Sequence, residues 1–149
     1  MLKTKEEIEK WLNGMKVTNY IINDDLTVDV NGDVYLALKD LTVISVQFRK
    51  VSGSFWCYGN QLKNLRNCPE YVGGDFGCSS NRLISLKGCP EYVGGFFSCS
   101  HNNLTSLKYC PDYVGLDVYS DFQNFDREQH KQFVKLQKRK EKLNSLDLE

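Results

Sequence analysis

The chain has 149 residues, of which 41% are hydrophobic, and its 19 Lys or Arg residues balance 19 Asp or Glu residues. This length and composition suffice for one buried core, so we expect a single domain over residues 1–149. The zero net charge argues against a basic surface over the whole molecule, as general nucleic-acid or membrane-surface binders carry. The N-terminus lacks the apolar run of a signal peptide and no segment is apolar enough to span a membrane, so we expect a cytoplasmic location.

The first predicted element is a helix within residues 4–14. Thr4 and Glu7 have the spacing of a capping box, and Gly14 is expected to end the helix. The apolar residues that share one helix face are Ile8, Trp11 and Leu12. We expect residues 1–27 to provide an N-terminal helical cap and a first turn.

A repeat of 21 residues follows in residues 28–125. Five segments align at this spacing without a gap: VNGDVYLALKDL (30–41), VSGSFWCYGNQL (51–62), VGGDFGCSSNRL (72–83), VGGFFSCSHNNL (93–104) and VGLDVYSDFQNF (114–125). A unit this short cannot bury its own apolar face, so such repeats stack into a solenoid. Each unit has room for one strand, one turn and a brief return segment. The sequence therefore predicts about five coils with one parallel β-sheet.

Alternate residues of a strand face opposite sides, so the repeated apolar pairs should point into the solenoid. These pairs are Val34/Leu36, Phe55/Cys57, Phe76/Cys78, Phe97/Cys99 and Val118/Ser120. Leucines later in each repeat should close the core from the far side. Asn60, Asn81 and Asn102 should form a column that satisfies backbone groups where each coil leaves its strand.

The heptapeptide CPEYVGG occurs at residues 68–74 and again at 89–95. We interpret it as the corner between coils, because proline suits a turn and the glycine pair lets the backbone bend into the next strand. The tyrosines of this segment, Tyr71, Tyr92 and Tyr113, are expected to cover the convex side.

The six cysteines form two columns at the repeat spacing, 57/78/99 and 68/89/110. Neighbours within a column would lie about 4.8 Å apart, which leaves a disulfide geometrically possible. Buried, reduced thiols are the favoured interpretation over a disulfide, a metal site or a catalytic role. Because the sequence has no C-x-x-C pair, we predict no metal site and no cofactor.

The core segment F-x-C-x-x-N-x-L fits the leucine-rich-repeat template L-x-L-x-x-N-x-L, with Phe and Cys at leucine positions. Residues 28–125 thus resemble short bacterial-type leucine-rich repeats. The form N-x-L-x-S-L-K-x-C-P-x-Y-V-G-G is similar to small repeat proteins encoded by bacteriophages and mobile elements. Lys39 and Gln123 replace the repeated Asn, so the outer units depart from the pattern. The resemblance implies an α/β repeat solenoid of leucine-rich-repeat type and, for a phage-encoded protein, a location in the bacterial host cell.

A second helix should begin at Asp126, whose spacing to Gln129 fits a capping box, and end near residue 143, within a C-terminal cap and tail spanning 126–149. Its expected apolar residues are Phe133, Val134, Leu136 and Leu143. Residues 127–142 hold seven cationic and two anionic side chains. The favoured interpretation is a capping helix with a solvated cationic face. The alternative is a nucleic-acid or anionic-surface contact through Lys135, Lys138, Arg139 and Lys140.

We call the outward positions of the predicted sheet the strand face, three per coil: 33, 35, 37; 54, 56, 58; 75, 77, 79; 96, 98, 100; 117, 119, 121. These fifteen positions include five aromatic residues, four Asp and no Lys or Arg. The absence of cations argues against nucleic acid on this face. Exposed aromatic residues with acidic neighbours instead favour a protein partner with a basic surface.

The predicted partner-binding residues are Asp33, Tyr35, Trp56, Tyr58, Asp75, Phe96, Asp117, Tyr119 and Asp121. A purely structural alternative is that Tyr35, Trp56 and Tyr58 only stack on one another across the strands.

The sequence offers no catalytic constellation, since its two histidines, His101 and His130, fall on a turn and on the second helix. We therefore predict a non-catalytic protein-binding module. The resemblance to phage proteins implies an inhibitor of a bacterial defence effector, of anti-CRISPR or other anti-defence type. The basic second helix supports the alternative of a nucleic-acid or anionic-surface binder. A self-associating structural module is a third possibility.

Overall fold

A computed structural model describes residues 1–146. The chain forms a β-solenoid of about four turns with two sheets, parallel except for one antiparallel edge strand, and a helix at each end. This confirms the predicted solenoid with its helical ends. Residues 147–149 of the predicted C-terminal tail lie outside the described residues. Within residues 1–146, neither helix has the length and apolar character required to cross a membrane.

The elements follow one another along the chain in a repeating pattern of short strands between the two helices. In chain order they are α1 (Lys5–Gly14), β1 (Tyr20–Ile22), β2 (Val28–Val30), β3 (Val34–Tyr35), β4 (Phe48–Val51), β5 (Phe55–Trp56), β6 (Tyr71–Val72), β7 (Phe76–Gly77), β8 (Tyr92–Val93), β9 (Phe97–Ser98), β10 (Tyr113–Val114), β11 (Val118–Tyr119) and α2 (Arg127–Leu146).

The predicted sheet consists of β3, β5, β7, β9 and β11, all parallel and paired at a separation of 21 residues. Its inward side chains form the expected column. The rings of Phe55, Phe76 and Phe97 are fully buried and stacked, with successive centroids 5.7 and 5.8 Å apart. The position in each repeat therefore fixes the place of a side chain in the stack.

A second sheet, with strand order β1-β2-β4-β6-β8-β10, was not predicted. Its strands lie partly inside the CPEYVGG segment, where Tyr71 and Val72 pair with Tyr92 and Val93 of the next coil. The interpretation of the whole heptapeptide as a corner is therefore wrong. Its Tyr-Val step is a strand whose valine is buried, and only the glycine pair turns into the next strand.

The glycine pairs are required by close contact between coils, not by an unusual backbone conformation. Their φ angles lie outside the left-handed region that favours glycine. A Cβ atom on Gly94 would overlap the carbonyl oxygen of Gly73, and one on Gly95 would overlap the carboxylate of Asp75. Neighbouring coils can therefore stack at the spacing of a β-sheet only if these positions carry no Cβ atom.

The predicted asparagine column is confirmed. The side-chain amide of Asn81 donates to the carbonyl oxygens of Cys57 and Cys78, at 3.0 and 3.1 Å, and its oxygen accepts from the Leu62 N–H at 3.0 Å. Asn60 and Asn102 make the equivalent bonds, each to its own coil and to the preceding one. Because each amide bridges two coils, the column ties successive turns together.

The N-terminal end is covered by α1, whose predicted capping box of Thr4 and Glu7 is present. Ile8 and Leu12 are buried against the first coil, and Trp11 packs beside Phe48 with a centroid separation of 6.4 Å. The helix includes Gly14 and has its C-cap one residue later. After it, β1 pairs antiparallel with β2 and forms the edge of the second sheet.

The C-terminal end is covered by α2, and the reciprocal bonds between Asp126 and Gln129 confirm its predicted start. The helix continues to Leu146, beyond the expected end near residue 143. Phe133 packs against Phe125, but Leu136 and Leu143 are more than half exposed. These two residues of the expected apolar set are therefore mainly in contact with solvent and not with the coils.

All six cysteines are free, and four of them (Cys57, Cys68, Cys78 and Cys99) are buried. Burial raises the pKa of the Cys78 thiol well above its ordinary value, because a thiolate would lose its hydration there. Such a thiol stays protonated and behaves as a small apolar core residue, as predicted.

Candidate functional site

The predicted partner-binding residues lie together on the outer side of the first sheet. Tyr35, Phe96 and Tyr119 are exposed and project from β3, the start of β9 and β11. Two of the fifteen strand-face positions do not reach solvent, because Ala37 and Gly77 are buried. The remaining positions of the strand face are half-buried or exposed, and together they form one surface that crosses all five strands of this sheet.

An aromatic cluster occupies the N-terminal half of the strand face. Tyr35 and Trp56 both meet Tyr58 edge to face, at centroid separations of 6.1 and 6.2 Å. The Tyr35 and Tyr58 hydroxyls are hydrogen-bonded to each other, and this bond raises the pKa of Tyr58. The cross-strand stacking alternative is thus correct as a description of the contacts. Tyr35 nevertheless keeps 53% of its surface exposed, so the cluster also offers area for binding.

Gly77 supports this cluster, and the sequence analysis missed its role. A Cβ atom at this position would lie 2.6 Å from Cε3 of Trp56, so the indole ring rests directly on the glycine backbone. Gly77 is one strand away from Trp56 in the sheet register. The signal available in the sequence was a glycine in a strand interior, which often marks such a close approach.

A second aromatic pair lies in the C-terminal half of the strand face. The rings of Phe96 and Tyr119 are 5.9 Å apart and tilted by 50°. Between the two aromatic groups the face carries small residues, and the hydroxyls of Ser79 and Ser98 are 2.6 Å apart. The strand face therefore has two aromatic groups that are separated by a strip of small, mostly polar residues.

Three of the four strand-face aspartates have structural tasks that were not predicted. Asp33 and Asp75 each accept the backbone N–H of the next coil, from Ser54 at 2.7 Å and from Phe96 at 2.8 Å. Asp121 accepts from the N–H groups of His101 and Asn102, and these bonds lower its pKa. These three residues therefore hold neighbouring coils together in addition to contributing charge to the strand face.

Asp117 differs from the other strand-face aspartates, because within residues 1–146 its carboxylate accepts a hydrogen bond from the hydroxyl of Tyr119, at 3.3 Å, and from no backbone N–H. The ion pairs of residues 1–146 join Lys5 to Asp24, Arg49 to Asp29 and Lys138 to Asp112. None of them involves an aspartate of the strand face. The negative charge of this face is therefore not neutralised within the described part of the chain.

The outer side of the second sheet also carries aromatic residues, but their ring faces are already occupied. Tyr71, Tyr92 and Tyr113 stack in parallel with centroids 4.7 Å apart. Lys50 covers the first ring and Arg127 covers the last, at 4.9 and 5.8 Å. Because both ends of the stack are covered, this side is a weaker candidate for binding than the strand face.

The basic residues of α2 separate into two groups. Lys138 pairs with Asp112 at 2.9 Å, whereas Lys135, Arg139 and Lys140 are exposed and make no ion pair within residues 1–146. The alternative cationic site therefore has three available charges instead of the predicted four.

The two histidines have different surroundings. His101 is exposed at a turn with φ 55°, whereas His130 lies in α2 and is buried, with Nε2 at 3.8 Å from Sγ of Cys110. Desolvation lowers the pKa of His130, opposed by a Pro111 backbone bond and the Asp112 charge. Within residues 1–146, no three side chains among His, Cys, Asp and Glu are grouped so that they could hold a metal ion.

The chain matches no protein-family model, no curated protein and no solved structure.

Proposed function

We propose that this protein is a non-catalytic binding module that docks a protein with a basic surface through the strand face. The observation that carries the proposal is the cluster of the exposed Tyr35 with the half-buried Trp56 and Tyr58, on a face with four Asp and no Lys or Arg. Large aromatic side chains in fixed positions are the usual energetic centres of protein interfaces.

Pre-organisation supports the same proposal. The Tyr35–Tyr58 hydroxyl bond and the seat of Trp56 on Gly77 hold the three rings before any partner arrives. Binding would then cost less side-chain entropy than ordering flexible residues. The flanking carboxylates would attract a basic partner and raise its association rate, with a strong dependence on salt.

The biological role in this proposal is inhibition of a bacterial defence effector, of anti-CRISPR or other anti-defence type. It depends on the resemblance of the repeats to phage-encoded proteins. A binder of this kind would cover a basic nucleic-acid or nucleotide site of its target, because the strand face carries the opposite charge.

The test uses the full chain as bait in bacterial lysate, side by side with two variants. Trp56→Ala removes the largest aromatic contact and should weaken capture of a basic partner by about 2 kcal/mol, or about 30-fold. Tyr109→Ala removes an aromatic side chain that is half exposed outside the strand face and should leave capture unchanged. Equal capture by wild type and Trp56→Ala would contradict the proposal.

A third bait separates charge from structure. Replacing Asp33, Asp75 and Asp117 by Asn keeps a side-chain oxygen for each bond that these carboxylates accept but removes three negative charges. Asp121 is retained, because both of its carboxylate oxygens accept a backbone N–H. We expect slower association and a weaker salt dependence with an unchanged thermal midpoint. An association rate equal to that of wild type would exclude the electrostatic part of the proposal.

The second candidate function is binding of nucleic acid or an anionic surface by α2. It is favoured by the exposed, unpaired cations Lys135, Arg139 and Lys140 in the described chain. Retention on heparin that falls steeply with salt, and that is lost when these residues and Lys138 are neutralised, would support it. Retention that does not change in the neutralised variant would contradict it.

A further inference from the structure

The return segments of the solenoid carry a column of cations that the zero net charge of the chain conceals. Arg66, Lys87 and Lys108 occupy the same position in three successive coils and are all exposed. Lys63 stands three residues before Arg66 in the same segment. Residues 61–69, 82–90 and 103–111 contain no Asp or Glu. We call Lys63, Arg66, Lys87 and Lys108 the basic turn face.

Each cation of the column sits at the end of the same local turn. The side chain of Ser85 accepts the N–H of Lys87 at 3.1 Å. Asn64 and Ser106 make the corresponding bonds to the N–H groups of Arg66 and Lys108, at 3.1 and 3.3 Å. The serine O–H and asparagine amide hydrogens can still donate outward. Each of these three coils therefore presents one cation and one neutral hydrogen-bond donor at a separation of two residues.

The charges of the basic turn face are not neutralised by the protein. None of the ion pairs within residues 1–146 involves these four side chains. Lys63, Arg66 and Lys87 line a common depression of about 590 Å³ together with Ile84. Lys108 lines two further depressions that it shares with Gln137 of α2. The depressions beside Lys108 thus adjoin the second helix, where the neutral Gln137 lines both of them.

We propose that the basic turn face binds single-stranded nucleic acid through its phosphate backbone. Cations that repeat about every 4.8 Å along the solenoid axis can follow a chain of phosphates. The neutral donor beside each cation supplies a second hydrogen bond to a phosphate, which has several acceptor oxygens. Ile84 is strongly exposed on the same segments and offers an apolar surface against which unpaired bases can pack, whereas Nζ of Lys108 lies over the Tyr109 ring at 5.0 Å from its centroid.

The remaining surface would orient such a ligand. The strand face carries only negative charges, and an acidic column of Glu70, Glu91 and Asp112 begins the second sheet next to the return segments. Both surfaces repel phosphate, so a nucleic acid is confined to the basic turn face. This binding is independent of the protein partner proposed for the strand face.

The experiment measures fluorescence anisotropy of a labelled oligothymidine of about 20 nucleotides, long enough to span the column, against salt. The test variant replaces Arg66, Lys87 and Lys108 by Gln. The matched control replaces Lys3, Lys10 and Lys16 by Gln and so makes the same change in charge at the N-terminal end, outside both proposed nucleic-acid sites. Because all six residues are exposed, both variants are expected to keep the wild-type thermal midpoint, which is checked by circular dichroism.

We expect the test variant to bind at least about tenfold more weakly than wild type at low salt, with the slope of log K against log salt reduced by about 2. The control variant should lose much less affinity. The proposal is overturned if wild type does not bind the oligonucleotide, or if the control loses as much affinity as the test variant. Binding only to phosphatidylserine vesicles or to polyglutamate would also overturn it.

Discussion

The two ends of the solenoid are covered in different ways, although each has a helix with a capping box. The short helix α1 buries Ile8 and Leu12 completely against the first coil. The helix α2 is twice as long, yet among its 20 residues only His130 is buried. The length of a capping helix is therefore a poor guide to how firmly it is held. We expect the C-terminal end to open first.

The largest effect should come from removing the apolar contact at the N-terminal end. Leu12→Ala leaves a cavity between α1 and the first coil, and we expect a loss of about 3 kcal/mol in the free energy of unfolding. Urea denaturation followed by circular dichroism measures this loss. A loss under about 1 kcal/mol would mean that α1 does not seal the core.

The two capping boxes provide a smaller and more direct comparison. Thr4→Ala and Asp126→Ala each remove one N-cap bond, which is typically worth about 1 kcal/mol. Because α1 is packed against the core, Thr4→Ala should lower global stability by about this amount. Asp126→Ala should instead increase amide hydrogen exchange in α2 and leave the middle coils almost unchanged. Equal effects on global stability would show that both ends unfold with the core.

The buried histidine should make the C-terminal end sensitive to acid. The folded protein holds the pKa of His130 below its ordinary value of 6.5, so it favours the neutral imidazole. As the pH falls below 6.5, the unfolded state gains protons first, and stability is lost until the folded pKa is reached. We expect faster hydrogen exchange in α2 at pH near 5.5 than near 7.5, after correction for the intrinsic exchange rate.

The variant His130→Gln supplies the control for this pH dependence. It cannot take up a proton in this range, so the corrected exchange rate of α2 should no longer change between the two pH values. If the pH dependence persists in this variant, another group is responsible.

The smallest effect is expected in the exposed part of α2. Leu143→Ala removes the same side-chain atoms as Leu12→Ala, but from a residue that is 53% exposed. We expect a change within about 0.5 kcal/mol in the urea experiment. A loss comparable to that of Leu12→Ala would reveal a packing partner for this part of the helix.

The structural features that could be predicted from the sequence are those that depend only on the position of a residue within the 21-residue repeat. The column of Phe55, Phe76 and Phe97 follows from the 21-residue spacing of the repeat and from the alternation of inward and outward side chains along a strand. Both can be recognised in the amino-acid sequence. The asparagine column follows for the same reason. Such positions are predictable because each residue meets an equivalent residue in the next coil.

Features that depend on contacts between unlike residues were not predicted. Three of the six strands in the second sheet have only two residues, and Asp29 and Lys50 take the tyrosine position in β2 and β4, so the pattern is too short to recognise. The bonds of Asp33 and Asp75 join a side chain to the backbone of another coil. Leu136 and Leu143 have helical periodicity, but periodicity does not reveal whether anything lies opposite.

The candidate site shows the same division. The aromatic and acidic composition of the strand face could be counted in the sequence. The support of Trp56 by Gly77 could not be predicted, because it depends on the distance between two residues that are 21 positions apart in the sequence. The absence of ion pairs at the basic turn face within residues 1–146 depends likewise on which side chains the fold brings close together.

The constant register between coils has a consequence for how such a protein can change size. Inserting or deleting one complete 21-residue unit in the middle would leave every pairing partner, glycine contact and amide bridge with an equivalent neighbour. The binding surfaces would then grow or shrink by one strand spacing, about 4.8 Å, while both terminal helices keep their seats. The length of the binding surfaces can thus change in steps of one strand spacing, while the residues of the hydrophobic core stay the same.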